Sequence, residues 1–243
     1  MQQVVEGYQD LIKRIEAQNA TSLLPSTYNA EQVKGYLAQR DLLLKAFASP
    51  KSAILEYLIS GKPDSFLVVQ KGLGRGTVKL NTTDRYAEPL VDYNSMVNPV
   101  DMEIFVAMIK YMRKWNNATS MREVGSIEVF PNSTVATDKQ IEDWIAENMQ
   151  SSLGHSSGTS SMIPRELGGV VGPDLLVYGV KGLSVADVSI IPMIPSTHLC
   201  ATVYAIAEKV SDRFRSSLRK DVLTNHFSGC GYHQKEGGRV IGI

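Results

Sequence analysis

Apolar residues recur at intervals of three and four along several stretches of the chain, and this spacing predicts its helices. Val4, Val5, Tyr8, Leu11, Ile12 and Ile15 form one such stripe over residues 3–17. A second covers 30–47 through Val33, Tyr36, Leu37, Leu43, Leu44 and Phe47, and Ser49-Pro50 stops it. Asn98-Pro99 opens a third helix: Asn caps it, Pro suits the first helical position, and Ile104, Phe105, Met108, Ile109 and Met112 line one face. Thr137 and Gln140 form a capping box for the helix starting at Asp138. Leu199, Val203, Ile206, Ala207, Val210 and Phe214 share a face of a last helix over 199–218. A short helix is expected over 52–59, followed by a turn at Gly61-Lys62-Pro63-Asp64.

Runs rich in β-forming residues predict strands at 65–70 and 77–81, read as a hairpin or as neighbouring strands. Further strands are expected at 125–130 and, within a loop-rich stretch, at Leu175–Gly179 and Leu183–Asp187. No internal repeat is present. This pattern gives an α+β fold with four regions: a helical region 1–64, a sheet domain with flanking helices 65–150, a loop-and-helix segment 151–218, and a polar, glycine-rich tail 219–243 expected to be disordered.

The length of 243 residues suffices for one large domain or two small ones with real cores. Hydrophobic residues at 43% and charged residues at 21% describe an ordinary globular chain. The formal net charge of zero leaves no basic field for a phosphate backbone, which argues against nucleic acid as a partner. No apolar run is long enough to span a bilayer, and residues 1–18 lack the apolar core of a signal peptide. Two cysteines, Cys200 and Cys230, make no disulfide framework, and Cys200 is expected to be a small core residue. Sequons at Asn19, Asn81, Asn117 and Asn132 are either chance or the mark of an extracellular glycoprotein; secretion of the parent protein is favoured.

Gly72-Leu73-Gly74-Arg75-Gly76 is not a dinucleotide loop. Its third glycine comes one position early and a strand follows where a helix is needed, so it reads as a turn between strands. His226, Cys230 and His233 have the donor types for a metal, but their spacing is loose and no metal is expected. The stretch 154–209 is richer. His155 and His198 lie in loops, each flanked by Ser, Thr and Gly, residues that let a backbone approach a ligand and donate hydrogen bonds.

An ordered set of residues in this stretch resembles the C-terminal signature of the glucose-methanol-choline (GMC) family. The match runs through His155, Gly158-Thr159, Met162, Val170-Val171, Tyr178-Gly179-Val180, Gly182-Leu183, Val185, Asp187, Ser189, Pro192, Pro195-Ser196, His198 and Ala207-Glu208-Lys209. Upstream, Arg75–Val78, Asp84 and Pro89–Tyr93 resemble the start of the same region, so the likeness covers about 65–214. It is similar in particular to fungal aryl-alcohol and glucose oxidase-like members. Departures are Ser160-Ser161, where many relatives carry Cys, Gly172-Pro173 in place of Asp-Pro, a longer tail, and the lack of the family's N-terminal Rossmann segment.

The resemblance implies FAD-dependent oxidation of an alcohol CH–OH group to a carbonyl, with hydride passing to the flavin. It makes His155 the base that takes the hydroxyl proton and His198 its partner at the substrate oxygen. Asp187, Val188, Thr197, His198 and Leu199 would face the cofactor, with the helix beginning near His198 directing its N-terminal end at the flavin ring. The implied partners are a small-molecule alcohol, a missing N-terminal FAD-binding segment that 151–218 would complete and, as an open alternative, a second copy in a homodimer. Two other functions remain open: a non-redox lyase or cyclase with structural flavin, and a truncated non-catalytic fragment.

Overall fold

In the computed structural model the description covers all residues except 60–64, 85, 153, 226–238 and 242–243, with backbone alone for 217–225 and 239–241. The chain forms two compact units. The first comprises 1–28 and 36–154, the second 29–35 and 155–243.

In the first unit, α1 spans Tyr8–Ala17, shorter at its start than the apolar stripe, because a left-handed Gly7 begins the helix. Helix α2 spans Ala30–Ala48, and its first turn belongs to the second unit. There Asn29 and Gln32 cap each other reciprocally, with the Gln32 N–H donating to Asn29 Oδ1 at 2.8 Å. Residues 52–59 depart from expectation: Leu55–Ile59 is a strand, β1, paired antiparallel with β2, Ser65–Val69. Its pattern fits either period, and the neighbouring β2 decides for the strand by supplying a ladder of partners. The expected turn between them falls outside the described residues.

Strand β3 (Thr77–Lys79) pairs antiparallel with β4 (Leu90–Asp92), not with β2. The expected single sheet is therefore two separate ribbons of two strands each. Helix α3 (Pro99–Asn116) carries its predicted cap, the Asn98 side chain accepting from the Val100 N–H at 3.0 Å. A short α4 (Thr119–Glu123) follows, and α5 (Asp138–Asn148) carries the Thr137–Gln140 capping box. Val106 and Ile109 of α3 pack on Ile141 and Ile145 of α5, with Leu67 of β2 against them. The strand expected at 125–130 does not form among the described residues. Ile127 and Phe130 are exposed, and the segment is held by side chains instead, Glu128 accepting from Arg113 at 2.6 Å and Ser126 donating to Asn116.

The glycine loop between β2 and β3 wraps an internal anion. Asp101, in the first turn of α3 and buried, accepts from the Leu73 and Gly74 N–H groups at 2.8 Å each. Arg75 turns back on the same loop, donating to the Gly72 and Gly74 carbonyls and to Gln39 Oε1, and lies 5.4 Å from the Tyr36 ring. Burial pushes the Asp101 carboxyl above its ordinary range, while the two loop N–H groups and Arg75 draw it back. Burial likewise lowers Arg75.

In the second unit β5 spans Leu183–Val185, and α6 runs Leu199–Asn225, beyond the end at 218 that its apolar stripe predicts. Arg239–Ile241, β6, pairs in parallel with β5. The stretch 175–179 contributes isolated bridges, Val171 to Val177 and Leu176 to Ser184, rather than a strand. Val171, Leu175, Ile190 and Val210 form the core. Among the described residues no helix is long and apolar enough to cross a membrane.

Removing the anion under the glycine loop leaves the buried Leu73 N–H and the half-buried Gly74 N–H without their acceptor. Asp101→Ala is expected to destabilise the first unit by roughly 1–4 kcal/mol, since a buried orphaned group costs ~1–3 kcal/mol and the half-buried one less. Thermal unfolding followed by circular dichroism reads this; an unchanged midpoint refutes the anchoring role of Asp101.

Candidate active site

The second unit gathers the candidate residues from three loop segments. Gly158 has φ 81° and turns the chain so that 160–162 runs beside 189–190. The Ser160 N–H donates to the Ser189 carbonyl at 3.0 Å and the Met162 N–H to Ile190 at 2.9 Å. Ser161, buried, closes the turn by donating its hydroxyl to the Gly158 carbonyl at 2.5 Å and receives the Val170 N–H at its own carbonyl. The turn 158–162 is thus bonded on both sides, and the loop that bears His155 is fixed where it leaves this turn. Further glycines are required by packing: a Cβ on Gly169 would collide with the Ile163 carbonyl.

His155 and His198 meet. Their ring centroids lie 5.4 Å apart with planes at 88°, an edge-to-face contact between half-buried side chains. His198 immediately precedes α6, so it sits at the end of a long helix where the backbone dipoles sum to a partial positive charge. Leu199 is buried beneath it, Thr197 is exposed, and the Thr197 N–H donates to the Pro195 carbonyl at 2.8 Å.

Asp187 caps the turn Val188–Ile190, Oδ1 accepting from the Ser189 N–H at 2.7 Å. Its other oxygen, Oδ2, is buried without a hydrogen-bond partner, and so is the Ser189 hydroxyl oxygen. Unpaired buried polar atoms are costly, so two of them in one turn suit a polar group that comes from outside the chain. An acceptor carboxylate oxygen beside a hydroxyl suits the hydroxyl-bearing ribityl chain of FAD rather than its phosphates. Ser189 matches the family signature but was not among the expected cofactor residues. Its apolar neighbours Val188, Ile190 and Ile191 signal burial, yet nothing local reveals whether its hydroxyl finds a partner.

Cys200 is exposed, against the expectation of a core position, because the buried face of α6 passes through Leu199, Ile206 and Val210 instead. The described residues bring together no group of His, Cys, Asp and Glu able to hold a metal. His226, Cys230 and His233 lie outside the described residues.

Residues 73–207 match the family model described as GMC oxidoreductase. The chain is 32% identical over 208 residues to dehydrogenase xptC of Emericella nidulans, covering 85% of this chain and 33% of that protein. Its fold is similar to an FAD-dependent oxidoreductase from Chaetomium thermophilum, with TM-score 0.81 and 32% identity over 88% of this chain and 37% of that one. A fungal aryl-alcohol oxidase is similar with TM-score 0.75 and 34% identity, covering 84% of this chain and 35% of that one. The chain therefore spans about a third of the length of these relatives.

A methyl group at residue 158 would meet the Ile191 carbonyl at 3.1 Å in a backbone conformation that L-residues avoid. Gly158→Ala is expected to cost about 1–2 kcal/mol. Faster amide exchange at Ser160 and Met162 would register the loosened loop; wild-type protection at both would contradict it.

Proposed function

This chain belongs to the glucose-methanol-choline oxidoreductase family, and we propose that it supplies the catalytic histidines of an FAD-dependent enzyme that oxidises an alcohol to a carbonyl. The observation that carries the reading is the edge-to-face contact of His155 and His198, two imidazoles from separate loops at one place. FAD, when bound, accepts the hydride that the carbinol carbon loses.

The chain's own residues do the rest. Removing hydride from an alcohol leaves a protonated carbonyl unless the hydroxyl proton departs, so a base must stand at the hydroxyl. In this reading one ring nitrogen of His155 takes that proton. His198 donates a hydrogen bond to the same oxygen and holds it in place, and the N-terminal end of α6 favours negative charge nearby. In this reading Asp187 and Ser189 offer their unpaired oxygens to the cofactor's polar chain, and Val188, Thr197 and Leu199 would line the same approach. The part of the parent length that this chain does not span would hold the adenine and pyrophosphate. The names of three relatives, a dehydrogenase, an FAD-dependent oxidoreductase and an aryl-alcohol oxidase, support the redox reading over non-redox chemistry.

Flavin-loaded protein is expected to bleach in its visible absorption band when an alcohol is added without oxygen. His155→Ala should leave flavin retention unchanged and slow the bleaching by about 100-fold or more, the scale of a lost general base. His198→Asn, which keeps a hydrogen-bond donor, should lose less than His198→Ala. Bleaching of His155→Ala at the wild-type rate would remove His155 from the reaction.

A further inference from the structure

Three of the four sequons share a local geometry that the fourth lacks. At Asn19 the side-chain oxygen accepts from both the Thr21 N–H and the Thr21 hydroxyl, at 3.3 and 3.0 Å. At Asn81 the same pair of bonds comes from Thr83, at 3.1 and 2.7 Å, and a third from the Asp84 N–H. At Asn132 the pair comes from Thr134, at 3.0 and 2.5 Å. Each asparagine side chain thus bends over its own sequon in an Asx turn, with Oδ1 engaged by the hydroxyl two residues on. Asn19 and Asn132 are exposed and Asn81 is half-buried beside an exposed Thr83.

Asn117 is exposed too, so access does not separate it from the others. Its backbone does. Asn117 closes α3 by donating to the Arg113 carbonyl, Ala118 caps α4, and Thr119 is already the first residue of α4. The sequon is committed to two helix ends, and no bond between Asn117 and Thr119 of the kind found at the other three is present among the described residues.

We propose that Asn19, Asn81 and Asn132 are sites of N-linked glycosylation and that Asn117 is left largely unmodified. The donor is an oligosaccharide linked to a lipid pyrophosphate. The amide nitrogen Nδ2 forms a bond to the sugar's C1 as the C1–oxygen bond to phosphate breaks. The pyrophosphate leaves with the electron pair, and the Nδ2 proton passes to a base of the transferase. A hydroxyl donating to Oδ1 polarises the amide and makes that proton easier to lose. The Asx turn spans only three residues, so it needs no tertiary contact and is available in the nascent chain that the transferase meets. Helix ends at 117–119 form as locally, and they compete with the turn. All three sites lie in the first unit, and none lies in the unit that carries the histidines.

The chain placed behind a signal peptide and expressed in a eukaryotic secretory host tests this. Enzymatic removal of glycans in heavy-oxygen water marks each occupied asparagine by mass. Asn19, Asn81 and Asn132 should each be mostly occupied, and Asn117 several-fold less. Asn19→Gln, Asn81→Gln and Asn132→Gln should each remove one glycan step in gel mobility, and Asn117→Gln none. Full occupancy at Asn117, or an unoccupied site among the other three, overturns the assignment. Finding the three bare in protein from its natural source overturns it as well.

Discussion

The Ser160 N–H bonded to the Ser189 carbonyl and the Met162 N–H bonded to the Ile190 carbonyl tie a loop to the single 3-10 turn Val188–Ile190. Everything at the candidate site is measured from this pair of bonds. His155 precedes the turn 158–162, Asp187 opens the turn that contains Ser189, and His198 follows before α6. Beneath them Ile190 joins Val171, Leu175 and Val210, so the apolar core fixes the side of the pair that faces inward. The bonds are made by backbone groups and ask little of side chains except at Gly158 and Gly169, where a Cβ would disturb the turn. A precise site can therefore be built from loops, provided the loops are laced to each other and to one helix.

The first unit solves a related problem with charge. Its glycine loop points successive N–H groups at one spot, as loops that cradle phosphates do. Here the anion is the chain's own Asp101. The loop is therefore an internal brace between β2, β3 and the start of α3, and Arg75 closes it from the other side. The same composition that invites a nucleotide reading serves packing, and the deciding fact is what lies opposite the amides.

Several features were legible because they are local. Asn98-Pro99 and Thr137 with Gln140 specify helix starts through bonds spanning two or three residues, and both caps form. The spacing of the signature from His155 to His198 identifies the family, because it is a one-dimensional pattern that the comparisons share. The reading failed where the outcome depends on a distant partner. Residues 52–59 carry enough apolar positions for a helix, and β2 made them a strand. Residues 125–130 have strand composition but no ladder among the described residues, since hydrogen-bonded pairing is a property of two segments.

The sequence by itself determined the capped starts of α3 and α5, the turn in place of a dinucleotide loop at Gly72–Gly76, and the family. Each of these is written in residues a few positions apart, where side-chain chemistry and backbone geometry act directly. Only the tertiary structure decided which strands pair, that the Leu73 and Gly74 amides face Asp101, that the His155 and His198 rings meet at 5.4 Å, and that Asp187 and Ser189 each keep a buried oxygen unpaired. Those are relations between remote segments, and they exist only once the core has brought the segments together.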